Sequence, residues 1–178
     1  ELDGQKAILH TADDLVCGDA FIIIGQSNAV STDWGKGEGT YQSEWLRSFG
    51  SMSGSPQGLR LWGPAVHRNH QGGALTIGYW GMELGQRIIE QQKVPVCFIN
   101  GAVGGTRIDQ HQRNTVNPTD MTTIYGRLLW RVREAKLTHG IRGIFWHQGE
   151  NDQGADGPTG PPGQVLTTTG SEHLQRMR

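Results

Sequence analysis

The chain has 178 residues, with 16 Lys and Arg against 17 Asp and Glu, giving a formal net charge of −1. That is the length of one domain, and a balance without any basic block or stripe argues against a nucleic-acid or anionic-membrane partner. The apolar runs at 21–24 and 96–99 are far shorter than the roughly 20 residues a membrane span needs. Glycine is frequent, at 27 residues, and six tryptophans are many for this size, as in a loop-rich α/β enzyme with an aromatic-lined surface; ordinary core tryptophans are the equal alternative for most of them, Trp34, Trp62 and Trp80 included. Cys17 and Cys97 supply neither a metal site nor a disulfide framework and read as two partly buried thiols. The sequence begins at Glu1 without a signal peptide, as a processed chain would; its compartment is left open, secreted or periplasmic ahead of cytoplasmic.

Residues 20–25, AFIIIG, are continuously apolar, which predicts a fully buried strand running straight into GQSNA at 25–29. Residues 31–75 read as loop, with a short extended piece at 59–66 around Trp62. Over 78–92, Trp80, Leu84, Ile88 and Ile89 form one apolar stripe and predict a helix. Gly81 and Gly85 weaken it by roughly 1 kcal/mol each relative to alanine. Their spacing puts them on one face, which predicts close packing against the sheet. A second buried strand at 94–100, VPVCFIN, leads into GAVGGT at 101–106. The stronger helix spans 120–138, capped by Asp120, carried by Ile124, Leu128, Leu129, Val132 and Ala135, and stopped by Gly140. The third buried strand, 141–148, leads into QGEND at 148–152. Residues 153–178 are dense in Gly, Pro and Thr, and only 164–169 read as a further strand.

Strands alternating with helices predict a mainly parallel sheet with helices on its faces, formed by a core over residues 1–152. Ligands in such sheets bind at the carboxyl ends of the strands, where all three polar clusters sit. Ser27 is the candidate nucleophile. A serine hydroxyl attacks only if a base takes its proton and donors stabilise the oxyanion, and a tight turn after a buried strand exposes the oxygen beside backbone N–H groups. Gly25 permits that turn and Ala29 leaves it uncovered. Other readings stay open. Gly104 and Gly105 are a plain turn or an oxyanion donor, Asn28 a helix cap, His147 a core histidine, and Arg107 a substrate contact or a loop salt bridge. His67 and His70 lack a third ligand, so no metal is expected.

GQSNA, GAVGGT and WHQGEND (146–152) resemble the blocks of SGNH (GDSL-like) hydrolases, most closely the sialate O-acetylesterase and carbohydrate acetylesterase branch. The resemblance covers about residues 15–152. It implies a flavodoxin-like three-layer α/β/α sandwich and a serine esterase acting on acetyl groups of carbohydrate, without cofactor or metal. It also implies Ser27 as nucleophile, with Ser27 N–H, a Gly104 or Gly105 N–H, and Asn151 or Gln148 holding the oxyanion. Gln26, Asn28, Arg107 and Glu150 are the implied substrate contacts, with Glu150 also organising the loops, and Trp34, Trp62 and Trp80 are candidates to stack on a sugar ring. A polar mouth of Gln26, Asn28, His111 and Gln148 speaks against a lipase or thioesterase with an apolar acyl groove.

One block departs from the family. Its D-x-x-H, which carries the base histidine and the aspartate that orients it, has no counterpart here. The only histidine beyond Asp152 is His173, preceded by Glu172. The expectation is a fold apparently truncated at its C-terminus; a base supplied by His173 at altered spacing and a non-catalytic sugar-binding relative are the alternatives. A weak or absent esterase activity follows.

Overall fold

The computed structural model describes residues 8, 10–31, 41–51, 60–68 and 73–152. Five strands form one sheet: β1 (Asp19–Gly25), β2 (Leu46–Phe49), β3 (Trp62–Pro64), β4 (Val96–Asn100) and β5 (Ile141–His147). Their spatial order is β3-β2-β4-β1-β5. Every pairing is parallel except that of β2 with β3, an antiparallel edge. β1 lies between β4 and β5, with Ile22 opposite Ile99 and Gly25 opposite His147. Both its faces are covered, which is why apolar residues run through it without alternation.

Three layers result. On one face Ile23, Leu46, Val96 and Phe98 pack with Met82 and Ile89 of α2 (Tyr79–Gln92) and with Ala29 of the short α1 (Ser27–Val30). On the other, Ile22, Ile24, Cys97 and Ile99 pack with Leu128, Val132 and Ala135 in and after α3 (Ile124–Glu134). The two glycines of α2 are its contact points. A Cβ on Gly81 would come within 3.0 Å of Ile23 Cδ1, and one on Gly85 within 2.5 Å of Leu46 Cδ1. Close packing therefore offsets their poor helix propensity.

Three elements differ from the sequence reading. β2 falls inside the stretch read as loop; four residues are too few to show a period, yet Leu46, Ser48 and Phe49 are buried and Leu46 pairs with Val96. α3 starts later than expected: Thr123 caps it through Gly126 N at 2.9 Å, whereas Asp120 accepts from Thr122 N at 2.9 Å in the preceding turn. β5 is an edge strand with partial burial, and its Ile144 is 63% exposed. Both cysteines are free, Cys17 exposed and Cys97 buried, and burial pushes the Cys97 thiol up to about 12.

Arg131 of α3 ties the strand tips together. Its guanidinium donates to Asn100 O at 2.5 Å and to Phe49 O at 2.6 and 3.2 Å. Asn100 then turns the chain out of β4, its amide donating to Ala29 O and Ile77 O at 2.9 and 3.0 Å and its side-chain oxygen accepting from Ala102 N at 2.9 Å. Both faces of the sheet are thus fixed to the ends from which the polar loops leave.

Candidate active site

β1 ends at Gly25, whose φ is +143° and where a Cβ would overlap the His147 carbonyl oxygen. Only glycine lets β1 pass so close to β5 and turn. Gln26 and Ser27 follow at once. Ser27 is exposed at the start of α1, and its hydroxyl has no hydrogen-bond partner among the described residues. Val103 N bonds Gly25 O at 3.0 Å, which carries the β4 loop alongside this turn. A Cβ on Gly104 would stand 4.0 Å from Ser27 Cβ, so the glycine turn faces the serine directly. The N–H groups of Ser27, Gly104 and Gly105 donate to no described residue.

The third loop joins through Gln26. Its side-chain oxygen accepts from Gln148 Nε2 at 3.3 Å, Gly149 N at 3.3 Å and Asn151 N at 3.2 Å. Gln148 Nε2 also donates to Thr106 O at 3.3 Å and to Asp152. Asp152 in turn accepts from Ile108 N at 3.2 and 3.3 Å, and its Oδ1 lies 3.8 Å from Arg107 Nε. Arg107 is also 4.0 Å from Asp109. A buried polar layer therefore binds the three strand tips to one another beneath Ser27.

His111 closes that layer. Its Nε2 is 2.7 Å from Thr106 Oγ1, whose own proton goes to Val103 O at 2.7 Å, so the imidazole is the donor and its proton sits on Nε2. Nδ1 is buried without a partner among the described residues. Burial pushes the group down to about 4, against the opposing pull of Asp152 and Asp109. On the solvent side, Asn28 donates to Glu150, whose Oε1 is 3.3 Å from His147 Nε2. The Glu150 carboxyl is held below its ordinary range by its own backbone N–H, then by Asn28 and His147.

Of the residues expected to touch substrate, Asn28 and Glu150 are exposed, while Gln26 and Arg107 are buried and partnered by the protein's own loops. The polar mouth is likewise smaller than expected, because Gln26, His111 and Gln148 are only 2, 6 and 7% exposed. His147 departs the other way: the register places it at an exposed strand end, so it is not a core histidine. Trp80 uses its indole N–H on Asn28 O, at 2.8 Å. Trp62 lines a cavity of about 340 Å³ with Asp19, Pro95 and Val96, at the opposite ends of β1 and β4. Trp34, His70 and His173 lie outside the described residues. No group of three or more His, Cys, Asp or Glu among the described residues has the arrangement of a metal site. The buried Gln26 layer was missed by sequence reasoning; the one available signal was an amide beside the serine and another in QGEND.

A mainly parallel sheet between two helical layers, with polar loops gathered at the carboxyl ends of its strands and Gly-Gln-Ser-Asn directly after β1, defines an SGNH-type α/β esterase fold. The profile of the family described as carbohydrate esterase, sialic acid-specific acetylesterase, matches residues 17–158, and the chain belongs to that family. No curated protein sequence matches it. Among solved structures it is similar to a protein from Arabidopsis thaliana, with a TM-score of 0.56 and 22% identity over 76% of this chain and 58% of that one. A carbohydrate acetylesterase from Xanthomonas citri aligns with a TM-score of 0.46 and 20% identity, over 76% of this chain and 33% of that one. The chain therefore spans less than two thirds of either structure.

Proposed function

We propose that this chain hydrolyses an O-acetyl ester on a carbohydrate, with Ser27 as nucleophile. The observation that carries the reading is the exposed Ser27 at the tip of β1, in contact range of the Gly104 turn and tied through Gln26 to the Asn151 loop. Ser27 Oγ attacks the acetyl carbonyl, and the negative charge builds on the carbonyl oxygen. The unspent N–H groups of Ser27 and of Gly104 or Gly105 face that charge as donors. Asn151 is the better third donor, because the Gln148 amide already serves Gln26, Thr106 and Asp152. The alcohol leaves with a proton, and water then releases acetate. Asn28 and Glu150, exposed beside Ser27, meet the hydroxyls of the sugar.

The proton acceptor is the open step. No described histidine bonds Ser27 Oγ, and a triad without its base loses several powers of ten in rate. We expect slow turnover of p-nitrophenyl acetate and slow acetate release from an O-acetylated sugar, both abolished in Ser27→Ala. Loss of that turnover in His173→Ala would make His173 the base. Unchanged turnover in Ser27→Ala would remove the acyl-transfer reading. That no described histidine reaches Ser27 Oγ also favours a second reading, a sugar-binding relative. It requires that acetylated sugar bind without releasing acetate, equally well in the parent and in Ser27→Ala.

A further inference from the structure

We infer that Gln26 is a positioning residue, whose buried side-chain carbonyl fixes the loop after β5 in the register that the Ser27 hydroxyl requires. The inference rests on the acyl-transfer reading above and adds to it the part that sets the distance between nucleophile and third donor. Gln26 is 2% exposed and cannot meet a substrate from that position. Its main chain is fully engaged: its N–H donates to His147 O at 3.1 Å, and its carbonyl accepts from Ala29 N at 2.9 Å and Val30 N at 3.0 Å. Its side-chain oxygen gathers three N–H groups from a loop more than 120 residues away, those of Gln148, Gly149 and Asn151. One residue thus holds the start of α1, the end of β5 and the loop beyond it, and that residue is bonded covalently to Ser27.

Each of the three side-chain bonds is 3.2–3.3 Å long, so none dominates and the hold depends on their sum. Gly149 has a φ of +152°, which leaves this turn without a side chain of its own to brace it. Both candidate donors, Gln148 and Asn151, are attached to the same oxygen, so the clamp acts whichever of them faces the oxyanion. A displacement of about 1 Å in such a group costs on the order of 100-fold in rate, without altering how the ground-state substrate is held.

A glutamine that merely filled space would be replaced without loss by Met, which has its length but no acceptor. Gln26→Met and Gln26→Glu, compared with the parent and Ser27→Ala, separate the two roles. Amide hydrogen exchange and p-nitrophenyl acetate kinetics are measured on each. In Gln26→Met we expect exchange at Gly149 and Asn151 to accelerate at least tenfold while Ile23 and Ile99 are unchanged. We expect kcat to fall about 10- to 100-fold with KM within twofold. Gln26→Glu, which keeps the acceptor oxygen, restores both. Unchanged exchange in Gln26→Met, unchanged kcat, or a folded Gln26→Glu no better than Gln26→Met overturns the proposal; if Gln26→Glu does not fold, Gln26→Met decides alone. Turnover that survives Ser27→Ala, or a parent without turnover, removes the acyl-transfer reading and leaves the clamp to be decided by exchange.

Discussion

Two glycines border the Ser27 turn, and each has its own reason to be glycine. Gly25 has a positive φ and no room for a Cβ against the His147 carbonyl. Gly25→Ala should therefore unfold or splay the β1–β5 tip, lowering stability by at least roughly 3 kcal/mol in urea melts, because strain and overlap act together. Gly104 has ordinary space around it, with Ser27 Cβ at 4.0 Å as the nearest neighbour of an added methyl. Gly104→Ala should leave the melting curve within about 0.5 kcal/mol of the parent, as substitutions away from packed or strained positions do. It should nevertheless cut esterase turnover tenfold or more, since the methyl stands where an acyl carbonyl must approach. Equal turnover in Gly104→Ala would place the acyl group elsewhere. The place of Ser27 in a turn directly after β1 was legible in the sequence, because a turn after a buried strand has few solutions. Gln26 and Gln148 were not legible as buried groups. A glutamine looks the same in sequence whether its amide meets water or three N–H donors across the fold.

The elements divide by how much each declares of itself. β1, β4 and α2 carry their own pattern, and the spacing of Gly81 and Gly85 foretold the close packing onto Ile23 and Leu46. β2 and the edge position of β5 depend on which strand lies next to which, and no local period records that. Arg131 belongs to the same class. It lies one turn from Leu128 on the buried side of a helix whose other charged residues are half-buried or exposed, and its partners are carbonyls of two separate strands. Burial lowers its guanidinium to about 10, so it stays charged at neutral pH. Arg131→Met would fill similar volume but leave Asn100 O and Phe49 O buried without these donors. The expected loss is roughly 2–4 kcal/mol, larger than for an exposed arginine such as Arg133 in the same helix. A denaturant midpoint unmoved in Arg131→Met, with the slope unchanged, would mean that water replaces the guanidinium.

The molecule as a whole is a sheet whose three polar loops are joined by one buried polar layer, and that layer includes a titratable histidine. His111 is neutral in the fold, with its ordinary value of 6.5 pushed down to about 4 by burial. Between those two values the unfolded chain takes up a proton that the folded one does not. Stability must then fall as pH drops from about 6.5 towards 4, by at most about 1.4 kcal/mol per unit and roughly 2–3 kcal/mol in all. Glu150 acts in a lower window. Its carboxyl is held below the ordinary 4.5, so its contribution is intact above that value and is lost only as pH falls below it. The two groups are therefore separable by where the loss occurs. Urea unfolding measured from pH 7 to pH 4 should show a falling midpoint in the parent and a much flatter one in His111→Gln, whose amide can still donate to Thr106. A parent midpoint that is level across this range would mean that His111 is protonated inside the fold, where Asp152 and Asp109 would have to overcome its burial. Because Thr106 and Asp152 also hold Gln148, the same acid loss should reach the loops around Ser27 before it reaches the apolar layers. Esterase activity would then decline at a higher pH than the far-ultraviolet helix signal.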